Sequence, residues 1–167
     1  MKATIKLGGG YKKVMKGLDS VFLEMPGICR QAVYDGAGPV ADKLRANIES
    51  VPLDSSSYFW GKHGPGRKIY GLTESQKAGL LSSMGISGFE EKIDSIDKKV
   101  GVEGYNDTIT AKYPKGQPNA MILRSIESGT EWHSKNPVVR KTANSTRKQV
   151  KEIMSKTITK SIKNKLL

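Results

Sequence analysis

The sequence predicts an α+β fold, in which a small antiparallel β-sheet is packed by helices and the last helix is long. Two observations predict this class. Apolar residues recur every three or four positions over most of the first 50 residues and again over the last 30, as in amphipathic helices. Between them, short runs alternate apolar and polar residues, as in strands. With 167 residues, a single domain spanning 1–167 is expected.

The first 50 residues carry the helical pattern in two parts, at about 11–34 and about 39–50. Pro26 should bend the first part, and Gly36–Pro39 should separate it from the second. Residues 1–10 end in three glycines and are expected to form a flexible arm.

A long loop is predicted over 51–71, because this stretch has no periodicity and is rich in Ser, Gly and Pro. Its aromatic residues lie beside Lys and Arg, so they could stack on nucleic-acid bases or become ordered against a protein partner; the partner is favoured. We expect the loop to be flexible. The capping-box sequence Thr73–Gln76 then predicts a short helix that Gly85 ends.

Three short strands are predicted after that helix, at about 86–92, 98–103 and 108–113. The last two alternate clearly, and Gly104–Asp107 is rich in turn-forming residues. We therefore expect a hairpin in which these four residues connect the second and third strands.

The segment Met121–Val150 is predicted to form a helix, a sharp stop, a loop and the start of a long last helix over about 138–166. Gly129 can adopt the positive φ that closes a helix. Asn136 and Pro137 suit the beginning of the next one. The apolar stripe of the last helix, expected to face inward, consists of Val139, Ala143, Val150, Ile153, Met154, Ile158, Ile162 and Leu166.

Charge is segregated along the chain. The net charge is +12, with 28 Lys and Arg against 16 Asp and Glu. The last helix carries nine basic residues and one acidic residue, whereas Phe89–Asp107 carries six acidic residues and three lysines. Such a balance predicts affinity for a polyanion or for an acidic protein surface. One candidate contact joins the acidic set of one subunit, Glu90, Asp94, Asp97 and Glu103, to the basic set of a neighbour, Arg147, Lys148 and Lys151.

Residues that would support catalysis, a metal ion or a cofactor are not recognised in the sequence. Cys29 is the single cysteine, so an internal disulfide is excluded. His63 and His133 have no metal-ligand partners at suitable spacing. No apolar run is long enough for a membrane span. The sequence therefore predicts a protein that is not an enzyme, has no cofactor and does not enter a membrane.

Four segments, in this order, resemble the tail-completion or head–tail joining proteins of lambdoid-type long-tailed bacteriophages. They are LTESQKAGLLSSMGI (Leu72–Ile86), KKVGVEGYND (Lys98–Asp107), YPKGQPN (Tyr113–Asn119) and RSIESGTEWHSKNPVVRKTAN (Arg124–Asn144). The family has a Glu-x-Gly-Thr segment before a loop and a Pro-apolar-apolar-Arg start to the last helix. The positions that match this motif are Glu127, Gly129, Thr130, Pro137 and Arg140. The sequence departs at Val138, where the family usually has an aromatic residue, and at Lys141, where a second proline often stands.

The resemblance implies a structural protein of the virion that completes the tail and joins it to the head connector, in a phage, a prophage or a tail-like particle. It implies a homo-oligomeric ring, hexameric by resemblance, at the tail–head junction, made in the host bacterial cytoplasm. Its partners would be the tail tube or tail terminator and the head connector or stopper, and DNA would pass without sequence-specific contacts. A basic nucleic-acid-binding module is the alternative that the charge leaves open.

Overall fold

The structure, a computed structural model, describes residues 9–54, 70–109, 111–130 and 133–166. Within these ranges the α+β class and the long last helix are confirmed, with four helices and two two-stranded antiparallel sheets. The elements are α1 (Gly9–Glu49), α2 (Glu74–Ser82), β1 (Met84–Ile86), β2 (Glu90–Glu91), β3 (Ile96–Asp97), β4 (Val100–Val102), α3 (Asn119–Ser128) and α4 (Val138–Leu166).

Helices α1 and α4 lie side by side and run antiparallel. Near the C-terminal end of α1, the Asn47 Nδ2 donates to the Thr142 hydroxyl at 2.7 Å. Near the other end, the Lys165 ammonium donates to the Glu24 carboxylate at 2.7 Å. This long pair forms one side of the molecule, and the remaining elements pack near the C-terminal half of α1.

The two N-terminal helices predicted from the sequence are one continuous helix, so that prediction was wrong. Pro26 and Pro39 both lie inside α1. Gly36 lets the helices approach closely, since a Cβ atom at this position would lie 3.2 Å from both the Val150 and the Met154 side chains. Packing along α4 stabilises the helical conformation where the local sequence favours a break, because tertiary contacts outweigh the loss of one or two backbone hydrogen bonds.

The two predicted flexible segments fall largely on residues 1–8 and 55–69, which lie outside the described residues. The parts of these two segments that the structure describes belong to a helix, lie in the core or form backbone hydrogen bonds. The end of the predicted arm already belongs to α1. At the ends of the predicted loop, Val51 is buried in the core, and the Leu72 N–H donates to the Pro52 carbonyl at 3.0 Å.

The core lies where the C-terminal end of α1 meets α2, α3 and the beginning of α4. Its largest fully buried apolar side chains are Ile48, Val51, Leu72, Leu80, Ile126 and Val138. The predicted capping box of α2 is confirmed: the Thr73 hydroxyl accepts from the Gln76 N–H, and the Gln76 side chain accepts from the Thr73 N–H.

The apolar stripe of α4 was predicted wrongly at its beginning. Val139 is 40% exposed and Ala143 is exposed, whereas Val138, Thr142 and Thr146 are buried. The helix takes this rotation because Val138 enters the core. The two threonines can be buried because their hydroxyls donate to carbonyls four residues earlier in the same helix, at 2.7 and 2.9 Å. The later members of the stripe are partly buried: Val150, Ile153, Met154, Ile158 and Ile162.

The hairpin also differs from the prediction. Strand β1 pairs with β4 and β2 pairs with β3, so residues 84–102 form one long antiparallel hairpin in two stretches. Gly85 lies in β1 instead of ending α2. The predicted third strand is wrong, since its described residues form a loop in which Ile109 is 71% exposed. Gly104–Asp107 consequently leads into that loop and does not connect two strands.

Candidate functional site

The corner between α3 and α4 brings the motif residues together. Gly129 ends α3 with a φ of 74°, and its N–H donates to the Ser125 carbonyl at 3.0 Å. The Glu127 carboxylate, in the last turn of α3, accepts from the N–H groups of Val139 (2.8 Å) and Arg140 (3.1 Å). These donors belong to the first turn of α4, which has no intrahelical acceptors for them. Glu127 therefore caps α4 from the neighbouring helix.

Hydrogen bonds within the loop and to α3 stabilise the loop inside this corner. The Thr130 N–H donates to the His133 carbonyl, and the His133 N–H donates to the Thr130 hydroxyl, both at 2.9 Å. The Asn136 N–H donates to the Ile126 carbonyl at 2.6 Å. Pro137 stands immediately before α4. Four of the five motif positions thus stop α3, close the loop or begin α4, and the fifth, Arg140, donates its backbone N–H to the cap.

A buried polar network holds the loop that follows β4. Asn119 is almost fully buried, and its Nδ2 lies 2.9 Å from both the Ser83 hydroxyl and the Glu103 carbonyl. Its Oδ1 accepts from the Asn106 side chain at 3.3 Å. The Asn106 N–H donates to the Gln117 carbonyl at 3.0 Å. These bonds satisfy polar groups that would otherwise be costly to bury, so the segment is a loop although its pattern resembles a strand.

A cavity of about 730 Å³ lies beside α3 and opens to the surface. Its wall includes Gln76, Tyr113, Gln117, Met121, Thr130 and His133. The His133 ring is half-buried, and its Nδ1 is buried without a hydrogen-bond partner among the described residues. Burial lowers the pKa of His133, and the nearby Asp54 carboxylate acts in the opposite direction.

The acidic set predicted for a subunit contact is partly neutralised within its own chain. The Glu90 carboxylate accepts from the Lys99 ammonium at 2.6 Å, which raises the pKa of Lys99. The next residue, Glu91, was not part of the predicted set; the Arg30 guanidinium donates two hydrogen bonds to its carboxylate, at 2.7 and 3.0 Å, and lowers the pKa of Glu91. Arg30 thereby attaches the hairpin to α1.

The remaining predicted acids differ from one another. Asp97 lies 3.5 Å from the Lys92 ammonium. Asp94 and Glu103 are exposed, and neither carboxylate forms an ion pair with the described part of the chain. The predicted acidic set therefore offers a neighbouring molecule fewer unpaired carboxylates than the sequence suggests.

The predicted basic set lies on the outer face of α4. Arg147, Lys148 and Lys151 are exposed. Across the described ranges, no ion pair joins this set to the predicted acidic set in the same chain. The structure therefore leaves the basic set available to a partner but does not bring the two sets together.

Sequence reasoning missed the residues that shape these surfaces. Asn106 and Asn119 were not recognised as a buried pair, although turn-forming residues are dense around them. Gly116 has a φ of 99°, and a Cβ atom there would overlap the Asn106 carbonyl oxygen. Lys77 donates to two carbonyls at the end of α1, including that of Val51 at 2.8 Å. The signal that the sequence offered was a glycine, Gly116, among turn-forming residues.

Comparisons with known proteins find no matching family model, no matching curated protein and no matching solved structure. In the ranges that the structure describes, no helix is long and apolar enough to cross a membrane. The same ranges contain no group of three or more His, Cys, Asp or Glu side chains placed to hold a metal ion.

Proposed function

We propose that the chain is a structural subunit of the neck of a long-tailed bacteriophage, a prophage or a related tail-like particle. In this role it completes the tail and joins it to the head connector as one member of a homo-oligomeric ring. The observation that carries the proposal is the α3–α4 corner. The residues that match the family motif in order and spacing also act together, because Glu127, Gly129 and Thr130 close one corner.

This corner stabilises the fold, because it holds the beginning of α4 and the orientation of the helix about its own axis. A cap supplied by the preceding helix fixes the start of α4, and the burial of Val138 in the core fixes the rotation of the helix. That rotation in turn leaves Arg147, Lys148 and Lys151 on the outer face. A subunit that must present a defined surface to a neighbour in a ring requires such a fixed helix.

The basic outer face also favours a second candidate function, a nucleic-acid-binding module. Arg147, Lys148 and Lys151 are exposed on one long helix without ion pairs to the described residues. An anionic duplex would be attracted to such a surface irrespective of its sequence. In the neck proposal the same charge faces a neighbouring subunit or the DNA that passes through the ring.

Removing the chain from a particle that encodes it tests the neck proposal. We expect separate, filled heads and complete-length tails in electron micrographs, and the wild-type chain supplied in trans should restore joined particles. Joined, infectious particles in the absence of the chain would contradict the proposal.

A salt titration separates the two candidates. For a nucleic-acid module, the logarithm of the binding constant for duplex DNA should fall linearly with the logarithm of salt concentration, by about 0.9 for each phosphate contacted. For a neck subunit, retention on purified tails or connectors should require those partner proteins. The nucleic-acid-binding module would be favoured if the chain binds DNA tightly and heads and tails still join normally when the chain is absent.

A further inference from the structure

The C-terminal end of α1 and the beginning of α4 are both fixed in the core. Leu44 and Ile48 of α1 and Val138 of α4 belong to the same cluster of buried apolar residues. The Asn47 side chain also donates to the Thr142 hydroxyl at this end. The two antiparallel helices therefore leave the core together, from the same end of the pair.

Away from the core, α1 packs chiefly on α4. We refer to residues 9–35 as the outer part of α1. Its buried apolar side chains, Val21, Ile28 and Ala32, do not belong to the core cluster. In residues 150–166 of α4 the apolar side chains are only partly buried. Separating the outer part of α1 from α4 therefore exposes much less apolar surface than unfolding the core does, and should cost less free energy.

Ion pairs attach the outer part of α1 to its neighbours at two points in the described residues. The Lys165 ammonium lies 2.7 Å from the Glu24 carboxylate. The Arg30 guanidinium lies 2.7 Å from the Glu91 carboxylate of the hairpin. All four side chains are exposed, and exposed ion pairs contribute little to stability. Burial against α4 is therefore the main interaction that keeps this part of α1 in place.

The boundary between the outer part of α1 and the core coincides with residues that disfavour a helix. Pro39 offers no N–H to the Asp35 carbonyl, and its ring disfavours the α conformation of Gly38. Gly36 and Gly38 have no Cβ atom, so they lose more conformational freedom in a helix than other residues do. A break in α1 is therefore easily formed at this boundary.

Contacts with α4 stabilise the helical conformation at the same boundary. A Cβ atom at Gly36 would lie 3.2 Å from both the Val150 and the Met154 side chains, so α4 lies against the backbone of α1 here. The Thr157 hydroxyl donates to the Asp35 carboxylate at 2.7 Å. When these contacts separate, nothing opposes the local preference of the sequence for a break.

We propose that the outer part of α1 separates from α4 as one unit while the core stays folded, with Gly36–Pro39 as the hinge. In the closed state α1 is one continuous helix, as in the structure. In the open state the outer part loses most of its helical structure, because an isolated segment with Pro26 in its interior is a marginal helix in water. The proposal concerns the isolated chain and does not depend on the proposed function.

Native-state hydrogen exchange of the full chain, measured by mass spectrometry in urea below the unfolding transition, tests this opening. We expect protection factors in residues 14–34 at least about tenfold lower than in 44–48 and 122–126, with a weaker dependence on urea, because a local opening exposes less surface than global unfolding. Equal protection and equal urea dependence in these segments would overturn the proposal.

The position of the change in protection tests the hinge. Opening as one unit gives similar protection across residues 14–34 and a single step near Gly36–Pro39. A gradual decrease toward the N-terminus would indicate fraying of the helix end and would overturn the proposal.

Cross-linking the far ends of the two helices should keep the hinge closed. In a Cys29→Ser background, Glu24→Cys and Lys165→Cys can be joined by a short bis-maleimide, since the parent side chains are in contact. The cross-link should raise protection in residues 25–34 at least about tenfold, because it blocks the local opening. The same variant without the cross-linker is the matched control. Unchanged protection after complete cross-linking would overturn the proposal.

Removing the hydrogen bond at the hinge should favour the open state. Thr157→Val keeps a side chain of similar shape but cannot donate to Asp35, and should lower protection in residues 14–34 at least about threefold. Thr159→Val is the matched control, because Thr159 is exposed on the same helix. Equal effects of the two substitutions on this segment would contradict closure by α4 at the hinge.

Discussion

At the scale of single residues, one carboxylate caps the beginning of a 29-residue helix. Glu127 is eleven residues upstream of the helix it caps. Local capping rules therefore pointed to Asn136 and Pro137, which do lie beside the helix start. The sequence placed Glu127 in a motif by resemblance but could not reveal its capping role, because that contact crosses a loop and exists only in the folded chain.

Replacing this cap should destabilise the protein measurably. Glu127→Ala removes the acceptor for two N–H groups and a negative charge at the N-terminus of α4, and should lower the free energy of unfolding by about 0.5–2 kcal/mol. Urea denaturation of the parent and the variant measures this difference in the free energy of unfolding. Glu152→Ala, which removes an exposed acid in the middle of the same helix, is the control and should change stability little. Equal effects of the two substitutions would show that Glu127 is not an important cap.

His133 should make stability depend on pH in the weakly acidic range. Its burial lowers the pKa in the folded chain, so protons bind the unfolded chain more readily. The stability that the neutral His133 side chain contributes is therefore fully present above the ordinary histidine pKa of about 6.5. It is lost as the pH falls below that value. His133→Gln should show a smaller decrease in Tm between about pH 7.5 and 5.5, a window around that value.

The Glu91 carboxylate keeps its charge throughout this window. The pKa of Glu91 is lowered from 4.5 by Arg30, so the stabilising contribution of that pair decreases only at more acidic pH. Parallel Tm curves for the parent and His133→Gln above about pH 5.5, the lower end of the window set by the ordinary histidine pKa, would contradict the assignment to His133.

At the scale of the elements, the helices were easier to predict than the connections between them. The capping box at Thr73 and the glycine stop at Gly129 act locally, so both could be recognised from neighbouring residues. The break at Gly36–Pro39 was predicted from equally local rules and was wrong, because α4 packs across it. The prediction of a strand at 108–113 was wrong for a related reason. The buried hydrogen bonds of Asn106 and Asn119 stabilise a loop there, and such bonds form only in the folded chain.

The same contact explains why Gly36 is small. Gly36→Leu should force α1 away from Val150 and Met154 and lower the free energy of unfolding by about 1–3 kcal/mol, through overpacking. Gly27→Leu is the control, because a Cβ atom there has no atom within 4 Å. It should instead raise stability by up to about 1 kcal/mol through helix propensity. Thermal unfolding of both variants distinguishes packing from propensity, and a Gly36→Leu variant as stable as the parent would exclude close packing at this point.

At the scale of the whole molecule, charge is distributed so that the outer face of α4 is basic. The exposed side chains of Arg147, Lys148 and Lys151 make few contacts in the described residues, so reversing them should leave the fold intact. If this face meets a neighbouring subunit in the neck, the combined substitution Arg147→Glu, Lys148→Glu and Lys151→Glu should block joining of heads and tails. Complementation of a particle that lacks the chain measures this.

A second triple substitution on the same helix controls for total charge. Lys156→Glu, Lys160→Glu and Lys163→Glu change the net charge equally but act closer to the C-terminal end of α4. We expect particle assembly to be less affected by this variant. Complete, infectious particles with the first triple variant would show that the interface lies elsewhere.

The pairing of α1 with α4 also has a consequence during protein synthesis. Thr157 in α4 donates to Asp35 in α1 across 122 positions of the chain. About 117 residues separate the end of α1 from the end of α4, which corresponds to roughly 6–23 s on a ribosome that adds about 5–20 residues per second. The part of α1 near Glu24, which packs against the end of α4, lacks this contact throughout that interval. Packing of α1 on the end of α4 must therefore wait for the segment that is translated last, and a nascent-chain chaperone can reach this part of α1 before α4 does.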